Sequence, residues 1–202
     1  MEGITSGKGY HGNVTSIKYY QSWVWHALQS RLLHLSCSED SLKIIYYWYV
    51  HSIIIYDIIF WGNSPHSTDV FKIQKWIIRI MTKTKSRDSC RQLFKRLEIL
   101  PLQSQYIFSI LLFVVKNKDL YTTNQETHNI TTRSNTNLHP PVCNLTVFQK
   151  GAYYSVIKFF NHLPLKIKSP SNEIKVFKPA LKRFLNLHSF YSGEGYLEYS
   201  FN

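Results

Sequence analysis

From about residue 21 onward, apolar positions recur mainly at intervals of three and four residues, the spacing that predicts amphipathic helices. A short helix is predicted over residues 21–35, and a second follows the capping candidates Ser38, Asp40 and Ser41. The predicted inner face of this second helix comprises Leu42, Ile45, Tyr46, Tyr49, Ile53 and Tyr56. The sequence Gly-Asn-Ser-Pro at 62–65 predicts the turn that ends it.

Three further helices are predicted between residues 67 and 115. The first begins near residues 67–69 and has an apolar stripe of Val70, Ile73, Ile77 and Met81. The second is short, has Asp88 or Ser89 as its cap, and buries Cys90, Leu93, Phe94 and Leu97. Pro101 breaks the chain before the third, whose predicted inner face is Tyr106, Ile110, Phe113 and Val114.

A polar segment separates these helices from the C-terminal part. Eleven of the eighteen residues in 122–139 are Ser, Thr or Asn, a composition that indicates a linker or long loop. The last helical pattern comprises Ile174, Phe177, Leu181, Phe184 or Leu185, and His188. If that helix begins near Val176, Pro179 falls in its first turn, where the missing N–H costs no bond. The predicted organisation is mainly α: a lead-in (1–20), a helical bundle (21–115), a polar loop (116–147) and a smaller helical part (148–202).

The charge balance points to a polyanionic partner, nucleic acid before a membrane surface, because 24 Lys and Arg outnumber 12 acids and give a net charge of +12. Lys72, Lys75, Arg79 and Lys83 share one face of a regular helix. The candidate phosphate-binding residues are Lys72, Lys75, Arg79, Lys83, Lys85, Arg87 and Arg91. A second, weaker set is Lys166, Lys168, Lys175, Lys178, Lys182 and Arg183. The aromatic residues Tyr46, Tyr49, Trp61, Phe71 and Phe113 are expected in the core rather than as base-stacking platforms.

Catalytic and cofactor chemistry has no support in the sequence. There is no Asp-Asp pair, no nucleotide-binding glycine loop and no spaced His pair, and the three cysteines, Cys37, Cys90 and Cys143, lie far apart. No cofactor and no small-molecule substrate are therefore expected. Residues 44–61 have the length of a membrane span, but His51 and Asp57 inside them favour a buried helix. With no secretory signal, an intracellular location in the nucleus or cytoplasm is expected.

Several segments, in order and at the right spacing, resemble the region after the palm of reverse transcriptases from jockey-like non-LTR retrotransposons. They are CSEDSLKIIYYWYVHSIIIYDIIFWGNS (37–64), VFKIQKWIIRIMTKTKSRDSCRQLFKRLEILPLQSQYIF (70–108), HNITTR (128–133), YYSVIKFFNHLP (153–164), FKPALKRFL (177–185) and FYSGEGYL (190–197). The similarity extends over roughly residues 21–199. Asp57 and Val156 stand where this family usually has Gly, and Pro179 interrupts a helix that is usually rich in Lys.

The resemblance implies a thumb-like helical region and a C-terminal tail that grip a template–primer duplex through its phosphates. The family's catalytic Tyr-x-Asp-Asp box lies upstream and has no counterpart in this sequence, so the Mg²⁺ of the parent polymerase has no site to carry over. A non-catalytic fragment that does not extend a primer by itself is therefore expected. Two alternatives stay open: a decayed remnant or protein-interaction module without selected function, and a membrane-associated protein built on residues 44–61.

Overall fold

The computed structural model describes residues 38–128, 137–140 and 152–200. The predicted lead-in, the predicted helix over 21–35, Cys37 and Cys143 lie outside these residues. The described chain is mainly helical, as predicted. Its β pairing within those ranges is confined to one isolated antiparallel bridge between Thr123 and Leu138.

The helices follow one another with short connections. The first helical stretch (residues 39–61) contains α1 (Glu39–Ile45), a π-helical segment (Tyr46–His51), α2 (Ser52–Ile55) and α3 (Ile58–Trp61). The middle of the chain contains α4 (Ser67–Met81), α5 (Arg91–Leu97), α6 (Leu102–Lys116), a 3₁₀ turn (Lys118–Leu120) and α7 (Asn124–His128). The last part contains α8 (Ala152–His162), α9 (Leu165–Lys168), a 3₁₀ turn (Ser169–Asn172), α10 (Ile174–His188) and α11 (Gly193–Leu197).

Helix α6 occupies the centre of the fold. Most of its residues are buried, and it packs against α2, α3, α4, α8, α10 and α11. The predicted inner residues Tyr106, Ile110 and Val114 are buried, whereas Phe113 is 36% exposed. Because other helices surround α6, its apolar residues lie on nearly every side. The spacing of apolar residues in its sequence therefore does not identify a single inner face.

Gly62 closes the first helical stretch against α6. A side chain at this position would overlap the ring of Tyr106 and the carbonyl oxygen of Ile58, so only glycine allows this approach. The predicted turn at 62–65 is confirmed there. Helix α1 also begins as predicted, since Ser38 is its cap and accepts a bond from the Ser41 N–H.

The predicted inner face of the first helical stretch is wrong in part. Leu42 and Tyr46 are buried as predicted, but Tyr49 and Tyr56 are exposed. The buried positions are instead spaced four apart: Leu42, Tyr46, Val50, Ile54 and Ile58. Two features change the period: the i→i+5 bonding of the π segment underwinds the helix, and residues 56–57 interrupt it. Because apolar residues occur on both the buried and the exposed side of this stretch, its composition does not identify the inner face.

The C-terminal helix begins earlier than predicted. Helix α10 starts at Ile174, so Pro179 lies inside it rather than in its first turn. The buried side of α10 contains Phe177, Leu181 and Leu185, as the spacing predicts, whereas Ile174 of the predicted pattern is exposed at the start of the helix. The missing N–H of Pro179 therefore removes one helical bond on an exposed face, while the inner face keeps its packing.

Part of the polar segment 116–147 is fixed to the helices beside it. The side chain of Asn161 accepts a bond from the Leu138 N–H at 2.8 Å and donates to the Leu138 carbonyl at 2.9 Å. The Lys168 ammonium donates to Asn137 Oδ1 at 2.7 Å and to the Asn161 carbonyl at 3.1 Å. Residues 116–128 and 137–140 of this segment are described, and helix α7 and the bridge to Leu138 show that polar composition alone does not exclude regular structure. The predicted domain boundaries themselves stay a prediction.

Across the described ranges, no single helix combines the length and the apolar character needed to cross a membrane. One bent pair, Arg91–Leu97 with Leu102–Lys116, reaches the required length and composition when taken together.

Candidate nucleic-acid interface

Helix α4 presents three of the predicted phosphate-binding residues beside its apolar side. Phe71, Gln74, Ile77, Ile78 and Met81 are buried, so Lys72, Lys75 and Arg79 lie along the outer part of the helix. The Lys72 ammonium pairs with the Asp69 carboxylate at 3.0 Å. The Lys75 ammonium lies 4.7 Å from the centroid of the Phe71 ring, a cation–π contact that keeps its charge at the surface.

The turn between α4 and α5 corrects the predicted position of Lys83. Helix α4 ends at Met81, and Lys83 has a left-handed backbone with φ 52° rather than continuing the helical row. The Arg79 guanidinium donates from Nε and Nη2 to the Asp88 carbonyl oxygen, at 3.2 and 3.0 Å, and thereby crosses this turn. Lys83, Lys85 and Arg87 are exposed on the turn that Arg79 holds in place.

Asp88 is the single acid between Lys72 and Arg96 in the sequence, and its groups are used inside the turn. Its carboxylate accepts the Lys85 N–H at 3.2 Å, and its carbonyl accepts the two bonds from Arg79. This acid therefore organises the basic turn and pairs with none of its cationic side chains.

Arg91 reaches an aromatic ring that arrives from the C-terminal end of the chain. Its guanidinium lies 4.9 Å from the centroid of the Tyr191 ring. That ring in turn packs edge-to-face against Phe71, with centroids 4.9 Å apart, and against Phe94, at 6.2 Å. Phe71 and Tyr191 thus form an aromatic floor on which two of the predicted cations, Lys75 and Arg91, rest.

The charges of these cations act on two neighbouring groups, the Cys90 thiol and the Tyr191 hydroxyl. Burial raises the pKa of the Cys90 thiol, while the nearby charges of Arg79 and Lys75 oppose that rise. Burial likewise raises the pKa of Tyr191, and Arg91 and Arg79 again act in the opposite direction. We call Lys75, Arg79 and Arg91, together with the rings of Phe71 and Tyr191, the basic cluster. Within the described residues no carboxylate forms an ion pair with its three cations.

The remaining predicted residues surround the basic cluster without entering it. Lys72 lies beside it on α4 but is paired with Asp69, while Lys83, Lys85 and Arg87 extend it along the turn. Sequence reasoning missed Tyr191, because a position one hundred residues after Arg91 gives no local sign of this contact. Of the aromatic residues expected in the core, Tyr46 and Phe71 are buried and Trp61 is half-buried, but Tyr49 and Phe113 are exposed.

The second basic set is divided by burial. Lys168 is only 6% exposed, and burial lowers its pKa to about 8. It lines a cavity of about 760 Å³ between α6, α8 and the 118–126 segment, where its ammonium holds Asn137 in place. Lys168 is therefore a buried structural lysine and not a surface contact. The other members, Lys166, Lys175, Lys178, Lys182 and Arg183, are exposed.

Within residues 38–128, 137–140 and 152–200, no three His, Cys, Asp or Glu side chains gather closely enough to hold an ion. Cys90 is a buried free thiol whose Sγ donates to the Lys75 carbonyl at 3.5 Å. The expectation that this chain carries no cofactor stays a prediction.

Comparison with known proteins adds no relative to these observations. The chain matches no protein-family model, no curated protein and no solved structure. The resemblance to the post-palm region of jockey-like reverse transcriptases therefore rests on the sequence motifs alone.

Proposed function

We propose that this chain binds nucleic acid through the basic cluster and has no polymerase activity of its own. In this proposal it corresponds to the region after the palm in jockey-like retrotransposon reverse transcriptases, which would hold a template–primer duplex. The observation that carries the proposal is that Lys75 and Arg91 lie on the rings of Phe71 and Tyr191, with Arg79 bonded to the Asp88 carbonyl between them in sequence, and that none of the three has a carboxylate partner among the described residues.

The arrangement suits phosphate rather than a neutral ligand. Lys75 and Arg91 rest on aromatic faces, which limits their motion and leaves hydrogen-bond donors free for an acceptor. Lys83, Lys85 and Arg87 extend the positive charge along an exposed turn, in the manner of a track for successive phosphates. Contacts of this kind position a duplex but do not read its sequence, so binding without sequence preference is expected.

The test compares two variants that remove the same charge from different surfaces. Lys75→Gln, Lys85→Gln and Arg91→Gln together remove three cations while leaving the Arg79 contact across the turn intact. The control, Lys175→Gln, Lys178→Gln and Arg183→Gln, removes three exposed cations from α10. Binding of a short DNA duplex is measured at several salt concentrations by fluorescence anisotropy.

Each phosphate contact contributes about 0.9 to the slope of log affinity against log salt for duplex DNA. The variant that changes Lys75 and Arg91 of the cluster and Lys85 of the adjoining turn should therefore flatten the slope by about 2–3 units, and the control by less than about 1 unit. If both variants change the slope by the same small amount, the basic cluster is only a solvated surface and does not contact DNA. A larger effect of the α10 variant would transfer the proposed contact to the second basic set.

A further inference from the structure

The outer side of the first helical stretch carries a continuous row of exposed apolar side chains. Trp48 is 75% exposed, Tyr56 71% and Phe60 65%. Ile44, Tyr49 and Ile55 are exposed by 60%, 45% and 44%. We call the six residues Ile44, Trp48, Tyr49, Ile55, Tyr56 and Phe60, with the exposed Ser52 between them, the outer stripe.

The outer stripe is large for a surface that meets only water. An aromatic side chain carries roughly 150–250 Å², so its four aromatic residues expose about 500 Å² together. The largest apolar patch of an ordinary monomer measures about 300–600 Å², and a standard interface covers about 800 Å² of each partner. With its two isoleucines and a polar rim, the stripe approaches the area that one side of a stable protein interface requires.

Exposed and buried positions each recur every four residues along this stretch, although residues 56–57 interrupt the helix. Positions 44, 48, 52, 56 and 60 are all exposed, while positions 42, 46, 50, 54 and 58 are all buried. A regular α-helix would rotate a four-residue row out of line, but the i→i+5 bonding of Tyr46–His51 reverses that drift. Residues four apart form the ridge that one helix inserts into the groove of another.

The register of the stripe is symmetric about Ser52. Trp48 and Tyr56 lie four positions to either side, Tyr49 and Ile55 three, and Ile44 and Phe60 eight. Ser52 is small, and its hydroxyl is satisfied within its own helix by the Trp48 carbonyl at 2.7 Å. A second identical helix can therefore approach closely at this point without leaving that hydroxyl unpaired.

We propose that the outer stripe joins two copies of this chain, with their first helical stretches packed antiparallel across a two-fold axis at Ser52. In this pairing Trp48 contacts the partner's Tyr56, and Tyr49 contacts the partner's Ile55. The interface is isologous, because one surface serves both copies and both ends of the stripe are covered at once. Asp57 is exposed beside Tyr56, and its charge disfavours insertion of this side into lipid.

The oligomeric state of the full chain tests the proposal directly. By sedimentation velocity the chain should be a dimer, and Trp48→Asp should weaken dimerisation by at least about 30-fold, as expected for a central aromatic contact. The matched control is Leu187→Asp on α10, a residue that is 63% exposed and lies outside the stripe. A monomeric wild type, or a dimer equally sensitive to both substitutions, would overturn the proposal.

Cysteine cross-linking tests the symmetry. The variants carry Cys37→Ser and Cys143→Ser, whereas Cys90 is buried and retained. Ser52→Cys should form a disulfide between the two copies of a dimer, joining position 52 of one copy to position 52 of the other. Trp48→Cys should cross-link to Tyr56→Cys when the two proteins are mixed, but neither should cross-link efficiently alone. Self-linking of Trp48→Cys without mixed linking would show another register and contradict the proposed axis. A negative result in either experiment would not bear on nucleic-acid binding by the basic cluster, because the cluster lies on α4, on α5 and at Tyr191, outside the outer stripe.

Discussion

At the scale of the residue, buried polar groups fix the geometry where apolar packing alone would allow several arrangements. Gln74 is 1% exposed and uses both ends of its amide. Its Nε2 donates to the Tyr46 hydroxyl at 2.8 Å and to the Leu100 carbonyl at 3.0 Å. Its Oε1 accepts the Leu102 N–H at 2.9 Å. One side chain thereby sets the relative positions of the first helical stretch, α4 and the start of α6.

His51 makes the stability of the chain depend on acidity. Burial lowers its pKa from 6.5 to about 4, and the charge of Lys182 acts in the same direction. Between about pH 6.5 and about pH 4, the His51 imidazole is therefore mostly protonated in the unfolded state and mostly neutral in the folded state. It follows that the contribution of His51 to the free energy of unfolding falls as pH drops from about 6.5 towards about 4. The loss should be on the order of 1–3 kcal/mol.

His51→Phe keeps a ring against Tyr47, whose centroid lies 5.0 Å away, but cannot take the proton. Urea unfolding at several pH values between 4 and 7 should therefore show a shallower acid loss in this variant than in the wild type. Lys182→Gln, which leaves the ring in place, should reduce the loss by a smaller amount. Identical pH profiles for all three proteins would contradict the assigned pKa.

At the scale of the element, single backbone conformations decide where helices end. Asp57 has φ 51° and ψ 24°, a left-handed conformation between α2 and α3. Such a conformation strains most side chains and suits glycine. The family that the sequence resembles usually has Gly at this position, a residue that adopts a left-handed backbone without strain. Val156, the other position where that family has Gly, is buried within the helix α8 and shows no such need.

Asp57→Gly should therefore raise the free energy of unfolding by about 0.5–1 kcal/mol, because relief of the strain exceeds the entropy that glycine adds to the unfolded state. Val156→Gly is the matched substitution at a helical, buried position, and it should lower stability by about 3 kcal/mol. Both values are measured by urea denaturation at neutral pH. A loss of stability in Asp57→Gly similar to that in Val156→Gly would contradict the left-handed assignment.

Helix positions could be predicted wherever the spacing of apolar residues and the positions of turn residues indicated the same helix bounds. The buried residues Phe177, Leu181 and Leu185, the cap at Ser38 as one of three candidates, and the turn at Gly62 were predicted, because each depends on neighbours within a few positions. The inner face of the first helical stretch was not, since the π-helical segment changes the spacing of its buried positions to four, a change that the alternating three and four of an α-helical pattern does not predict. The start of α5 also differed: Cys90 occupies the cap without a side-chain bond, rather than Asp88 or Ser89.

The basic cluster likewise has members that the sequence predicts and contacts that it does not. Charge and spacing identified Lys75, Arg79 and Arg91, because cationic residues can be recognised directly in the sequence. The contact of Arg91 with Tyr191 could not be predicted, since the two residues lie one hundred positions apart in the sequence. The sequence period likewise does not encode the left-handed backbone of Lys83, which takes it off the row, or the Arg79 contact across the turn.

At the scale of the whole molecule, the two helical parts on either side of the polar segment share one hydrophobic core. Helix α10 packs on α6, and the buried Ser104 hydroxyl of α6 donates to the Phe190 carbonyl at 3.1 Å. Tyr106 of α6 contacts Phe159 of α8, whose carbonyl accepts the Tyr196 hydroxyl at 3.1 Å. Long-range contacts of this kind favour a single cooperative unit over two parts that unfold separately.

Leu181 offers a direct test of that cooperativity. It is fully buried on α10 and faces the shared core, so Leu181→Ala should lower the free energy of unfolding by about 2–5 kcal/mol. Native-state hydrogen exchange should show the same loss for the most protected amides of α6 and of α10, because both open only when the shared core is lost. The control Leu187→Ala removes an exposed side chain from the same helix and should change stability by less than about 0.5 kcal/mol. If α6 keeps its full protection while α10 loses its own, the parts 21–115 and 148–202 unfold as separate units, and the predicted domain division describes the molecule better than its common core does.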